Sequence, residues 1–131
     1  MPQLIFKNAD QIAEVEQLVN EQILKGTDVV TEEMPIEKAK ATGAMALFGE
    51  KYGETVRVVK VGGFSVEFCG GTHTHSSGEV GPLIIQSEAS IGSNIRRLEA
   101  LTGDAAYAHL VEVRSALDST GRLLKVPATE V

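Results

Sequence analysis

Tryptophan is absent from the 131 residues, tyrosine and phenylalanine bring the aromatic share to only 5%, and Cys69 is the single cysteine. One thiol cannot close an internal disulfide, so the fold must stand on its core alone, which suits a reducing cytoplasm. So few aromatics argue against a platform on which several bases would stack. Basic side chains number 12 against 18 acidic ones, and the formal charge of −6 argues against a protein held to nucleic acid by bulk electrostatics. Any RNA contact must then be local. The apolar runs fall far short of a membrane span, and the N-terminus has no charged-then-apolar leader pattern. A cytoplasmic protein with no membrane partner is the expectation. Internal repeats, low-complexity tracts and an H-E-x-x-H metalloprotease signature are also missing.

What is present is a 43% hydrophobic content, enough to fill the core of one domain. A short strand is expected at 4–6. Asn8 or Asp10 can cap a helix running to about Lys25, since Ile12, Val15, Val19 and Ile23 recur at helical spacing with Leu18 beside them, and Gly26 ends it. A strand over 28–34 leads to Pro35, which suits the first turn of a helix through Ala41, with Gly43 as its stop. Glu32 and Glu33 are neighbours on that strand and face opposite sides, so they read as surface residues and not as an acid/base pair. Residues 44–53 are expected to form an ordered loop whose Phe48 and Tyr52 pack on the sheet, direct contact with a substrate being the alternative. Residues 82–87 read as a buried strand, 88–93 as a loop, and 95–101 as a returning strand that ends at Thr102 and Gly103. A helix over 104–120 follows, with Ala106, Leu110, Val113 and Leu117 on one line, and Gly121 begins the exit. The fold class is α+β: two layers, a mixed but largely antiparallel sheet packed on helices, and a C-terminal helix.

Residues 56–81 hold the only cysteine and two of the three histidines. Val56, Val58, Val59 and Val61 lead to Gly62 and Gly63, after which Phe64, Val66 and Phe68 alternate with Ser65 and Glu67. That is a hairpin with a turn of two glycines. Its second strand runs into Cys69, Gly70, Gly71, Thr72 and His73, so thiol and imidazole arrive on a glycine-rich loop at the end of a rigid element. Cysteine and histidine at this spacing can both reach one tetrahedral zinc. The alternative is a small buried cysteine and a polar loop histidine. His75 points the same way as His73 if the segment is extended, which makes it a possible third ligand. Arg96 and Arg97 are candidates for phosphate contact, because a guanidinium fork matches phosphate oxygens; only one can face a groove from an extended strand, and pairing with Glu99 or another acid is the alternative. Lys60 and Arg57 carry the same ambiguity. His109 lies outside these motifs and is not taken as a ligand.

The string CGGTH, preceded by GAMALFGEKYGETVRVVKVGGFSVEF and followed by IGSNIRRLEALTG, resembles the second half of the editing domain of alanyl-tRNA synthetase. Related domains occur in threonyl-tRNA synthetase and in free-standing editing proteins. The likeness covers about residues 12–103, and GAMALFGEKYG with RRLEALTG points to the alanyl branch. It implies that 1–103 is the C-terminal portion of an editing domain and 104–131 a helical connector toward the rest of the synthetase. It further implies hydrolysis of the ester joining serine or glycine to the acceptor end of the alanine tRNA. Zinc (Zn2+) is held in that family by a His-x-x-x-His pair and a Cys-x-x-x-His pair, and Cys69 and His73 match the second. Gly70, Gly71 and Thr72, with Arg96 and Arg97, would then meet substrate or tRNA.

No His-x-x-x-His occurs in the chain. The expectation is that it lies upstream of residue 1, that Met1 opens a fragment, and that the aminoacylation core, where the parent enzyme uses ATP, is outside it. Three alternatives stay open: an editing site completed by His75, solvent or another chain; a folded, non-catalytic module that touches tRNA; and a threonyl-type editing domain.

Overall fold

Strand β2 (Thr55–Val61) alternates apolar side chains between two faces, and it forms the middle of an antiparallel sheet in the order β1 (Val29–Pro35), β2, β3 (Ser65–Phe68). The computed structural model describes residues 9–45, 52–92 and 95–131. The remaining elements are α1 (Ala9–Leu24), α2 (Ile36–Ala41), β4 (Leu83–Gly92), β5 (Ile95–Thr102) and α3 (Gly103–Leu124), with 3-10 turns at Ser77–Val80 and Ala128–Glu130. Antiparallel sheets with helices and a C-terminal helix make the class α+β, as expected. The chain packs as two compact units, Glu21–Val80 and the residues up to Asn20 together with Gly81–Val131. The strand expected at 4–6 and the packing of Phe48 lie outside the described residues.

In the unit Glu21–Val80, Met34 stands opposite Val56, and Val58 opposite Phe68. Directly opposed residues share a face, so these four line one side of the sheet and close a core with Ala39 of α2. Val58 and Ala39 have no exposed surface. The Tyr52 ring meets Phe68 edge-on, centroids 5.1 Å apart, as the expected packing of Tyr52 on the sheet requires. Pro35 is the last residue of β1 and the cap of α2, one position earlier than expected; its extended φ of −56° and ψ of 140° suit a strand end. Gly43, at φ +77°, stops α2 as anticipated.

The hairpin turn departs from the two-glycine expectation. Val61 pairs with Ser65, leaving Gly62, Gly63 and Phe64 as a three-residue connection closed by Phe64 N–H donating to the Val61 carbonyl at 3.0 Å. Only Gly62 takes a left-handed φ, +51°. The third residue is needed because a two-residue turn would set Phe68 opposite Arg57 and not opposite Val58, taking it off the core face. Phe64 stays 56% exposed as a result.

In the other unit, β4 and β5 form one long hairpin. The loop expected at 88–93 from its glycine and small residues is strand through Gly92: Glu88 pairs with Leu98 and Ala89 with Arg97, with two register shifts, between Ile85 and Ser87 and between Ser90 and Gly92. Leu83, Ile84 and Ile85 are half-buried, less than the buried strand expected. The start of β4 is held by polar side chains of α1. Asn20 Oδ1 accepts from the Leu83 N–H at 2.8 Å, its Nδ2 donates to the Leu83 carbonyl at 2.8 Å, and Glu16 Oε2 accepts from the Ile85 N–H at 2.6 Å. These side chains do for the strand edge what a further strand would do.

Helix α3 does not end at Gly121. It runs on to Leu124, and Lys125, at φ +59°, caps it in the left-handed region. Gly121 is buried because the returning chain lies on it: a Cβ there would stand 2.8 Å from the Val126 carbonyl oxygen. Of the predicted apolar line only Ala106 is buried, while Leu110, Val113 and Leu117 remain exposed.

Replacing Asn20 by alanine leaves the Leu83 amide and carbonyl without their partners and is expected to cost about 1–3 kcal/mol; an unchanged urea midpoint would show that water replaces the side chain without loss. Gly62→Ala is expected to cost about 1–2 kcal/mol for its backbone conformation alone. A further penalty comes from the Thr27 Cγ2 that a Cβ would meet at 2.8 Å. Introduced on a Thr27→Ser background, the same change should cost less, which denaturant titration of the four proteins of the cycle measures.

Candidate functional site

β3 ends at Phe68, but the ladder takes one more step: the Cys69 N–H donates to the Arg57 carbonyl at 3.1 Å. Cys69 therefore sits opposite Arg57 on the sheet face away from Phe68, and it is half-buried. Residues 70–75 are exposed. A side-chain carbon placed at Gly71 would lie 3.5 Å from Cys69 Sγ and 3.8 Å from His73 Nε2. The thiol and the ring nitrogen thus flank one point, which the absence of a Gly71 side chain leaves clear. An Arg57 Nη1 donates to the Gly71 carbonyl. A cavity of about 260 Å³ opens beside them, lined by Tyr52, Gly53, Thr55, Arg57, Cys69 and Gly70 among others.

Cysteine sulfur and imidazole nitrogen are donor types that tetrahedral zinc takes, and Cys69 and His73 are the residues here that could hold one. Among the described residues no group of three or more His, Cys, Asp or Glu side chains is placed to hold a metal. His75 does not join the pair in such a group; its backbone is held elsewhere, the N–H donating to Glu79 Oε2 at 3.0 Å and the carbonyl accepting from Val29 at 2.9 Å. His109 is half-buried on α3. Thr72 is exposed beside His73.

Two features here were not anticipated. The hydroxyl of Ser77, a buried residue, donates to the Gln22 carbonyl at 3.0 Å and accepts from the Thr27 N–H at 2.9 Å, so it ties the turn after the site to the end of α1. Nothing in a Ser-Ser-Gly-Glu turn marks which serine does this. The grip of Arg57 on Gly71 was readable only in part, since it follows from the hairpin register.

Arg96 and Arg97 lie on β5, in the other unit. Arg96 forks onto Glu88 across the hairpin, its Nε and Nη2 donating to the two carboxylate oxygens. The hydrogen bonds from Arg96 hold the Glu88 carboxyl below its ordinary range, burial opposing them and the positive charge assisting; the same hydrogen bond raises Arg96. For Arg96 this is the alternative of pairing with an acid, the acid being Glu88; Glu99 accepts from Ser87 Oγ at 3.1 Å. Arg97 stands opposite Ala89, is exposed, and takes part in none of the ion pairs among the described residues. Lys60 pairs with Glu32 at 2.9 Å, which places that glutamate on the surface.

Residues 56–99 match the family model for the threonyl and alanyl tRNA synthetase second additional domain. Within it the likeness is to alanyl-tRNA synthetases. The chain is 51% identical over 124 residues, 95% of its length, to the alanine–tRNA ligase of Hydrogenovibrio crunogenus. To those of Listeria innocua and Staphylococcus aureus it is 48% and 49% identical over 121 residues, 92% of its length. In each case it spans 14% of the relative. No helix among the described residues is long and apolar enough to cross a membrane.

The Glu88 shift carries a pH dependence. A carboxyl held lower in the folded state than in the unfolded one contributes stability that is present above the ordinary glutamate range and lost as the pH falls through the folded value. Glu88→Gln should therefore flatten the acid limb of a stability-against-pH curve, and added salt should weaken the wild-type slope. Equal slopes for the two proteins in acid would remove Glu88 as the cause.

Proposed function

We propose that this chain is part of the editing module of an alanyl-tRNA synthetase, which works in the cytoplasm and hydrolyses serine or glycine wrongly esterified to the alanine tRNA. The observation that carries the reading is the meeting of Cys69 Sγ and His73 Nε2 at one cleared point beside Gly71. The need for such a module follows from selectivity: a pocket for alanine cannot strongly reject serine, which merely adds a hydroxyl, so a second site removes the error.

Cys69 and His73 would hold two corners of a zinc ion, and the other two would come from a His-x-x-x-His pair elsewhere in the synthetase. When bound, the metal supplies a positive charge that polarises the ester, orients the amine or activates water. The rest is the work of this chain. Gly70 and Gly71 leave room for the terminal adenosine to approach, and the cavity beside Cys69 receives the small aminoacyl group. In the reaction a water oxygen bonds to the ester carbonyl carbon, the bond from that carbon to the ribose oxygen breaks, and a proton passes to the ribose oxygen. Free serine and a tRNA with its terminal hydroxyl restored are the products. For the phosphates near the acceptor end Arg97 is the better contact, because Arg96 is neutralised by Glu88. Aminoacylation with ATP belongs to other parts of the synthetase.

With two ligands of four, the isolated chain is expected to bind zinc weakly and to leave Ser-tRNA(Ala) intact. In the full-length synthetase Cys69→Ala should lower deacylation of Ser-tRNA(Ala) by more than the roughly 10- to 100-fold that loss of an outer-shell partner costs. Zinc content should fall with it and alanine charging should persist. A Cys69→Ala enzyme that clears seryl esters at the wild-type rate would sink the proposal.

A further inference from the structure

We infer that Arg57 is a positioning residue for the Cys69–His73 pair: by gripping the Gly71 carbonyl it holds the loop in the shape that turns thiol and imidazole to one point. The inference rests on the reading above for what the pair does, but the geometry stands apart from it.

One residue binds the loop twice. The carbonyl of Arg57 accepts from the Cys69 N–H at 3.1 Å, and its guanidinium donates to the carbonyl of Gly71, two residues further on. The residue so held is the one that both donors flank. Among the described residues the bond from Arg57 is the only hydrogen bond made to any of residues 70–74. Two of those five residues are glycine, whose backbone freedom makes an untethered loop costly to order. A single anchor at Gly71 divides the stretch between Cys69 and His73 at its midpoint.

The guanidinium also has a competing partner that it does not take. Glu33 stands opposite Arg57 on β1, and directly opposed residues share a face. Yet the ion pairs among the described residues are Lys40 with Glu37, Lys60 with Glu32 and Arg96 with Glu88. Arg57 is turned to a neutral carbonyl on the site side, keeping its positive charge on the wall of the cavity beside Cys69. Lysine offers one donor on a flexible stem where arginine offers a planar fork, so it should replace the anchor only in part.

The test compares wild type, Arg57→Ala and Arg57→Lys in this 131-residue chain. Backbone 15N relaxation is expected to show Gly70 to His73 ordered in wild type, mobile in Arg57→Ala with order parameters below about 0.6, and partly restored in Arg57→Lys. Melting temperature and the order of Val58 and Phe68 should stay unchanged. Cobalt(II) serves as the metal probe, read by its thiolate charge-transfer absorption, which reports Cys69 alone because no other cysteine is present. Its affinity should fall roughly 10- to 100-fold in Arg57→Ala, the scale of an outer-shell loss, and recover in part with lysine. Wild-type loop order or wild-type cobalt affinity in Arg57→Ala overturns the inference, as does a loop already mobile in wild type. If wild type binds cobalt too weakly to measure, as two ligands of four allow, the order parameters alone decide the anchoring role, and the zinc content of the full-length synthetase decides the metal reading.

Discussion

The pairing of Val58 with Phe68 sets the register on which the site depends. Val58 has no exposed surface, and Phe68 is buried beside it with Met34, Val56 and Ala39. Burial is roughly proportional to apolar area removed from water, so the sheet pairs in the register that puts these side chains on one face. A slip of one residue between β2 and β3 would turn Phe68 to the other side. The same register brings Cys69 opposite Arg57 on the reverse face, where the strand gives way to the CGGTH loop. Cys69 and His73 are thus aligned by a core to which neither belongs, while Val56 and Phe68 of that core line the cavity beside them.

Polar side chains complete what the short strands leave open. Asn20 and Glu16 pair with the edge of β4, and Ser77 joins the turn after the site to the end of α1. Each satisfies backbone groups that would otherwise depend on water, and each comes from a residue that, by pattern alone, belongs to a solvated helix face or a turn. Such bonds contribute modestly apiece, yet leaving one unmade in a half-buried place costs more than making it adds.

The charge distribution follows a similar economy of place. In a chain with formal charge −6, Lys40, Lys60 and Arg96 are matched by carboxylates, while Arg57, Arg97, Arg114 and Arg122 take part in none of the ion pairs among the described residues. An acidic protein does not gather RNA by its overall field, so under the proposed function the arginines outside these pairs are the candidates for phosphate contact. One of them lies on the wall of the Cys69 cavity.

Periodicity was enough to find α1, β1, the β2–β3 hairpin, β5 and α3, because alternation and helical spacing are properties of neighbouring residues. The string from Cys69 to His73, with its glycines, was equally local, and it carried the family resemblance. Other features were settled by residues far apart in the chain. Strand β4 continues through 88–92 because β5 pairs with it, Gly121 lies inside α3 because the chain returns over it, and Arg96 reaches Glu88 because the hairpin sets Ser90 opposite Arg96 and so brings Glu88, two residues before Ser90, diagonally within its reach. The turn at Gly62 has three residues because burial of Phe68 demands it. The amino-acid order by itself determined which segments are strand or helix and which donors are available; which side chains meet was left to tertiary packing, since register and approach distance are decided by the free energy of the whole core and not by any window of sequence.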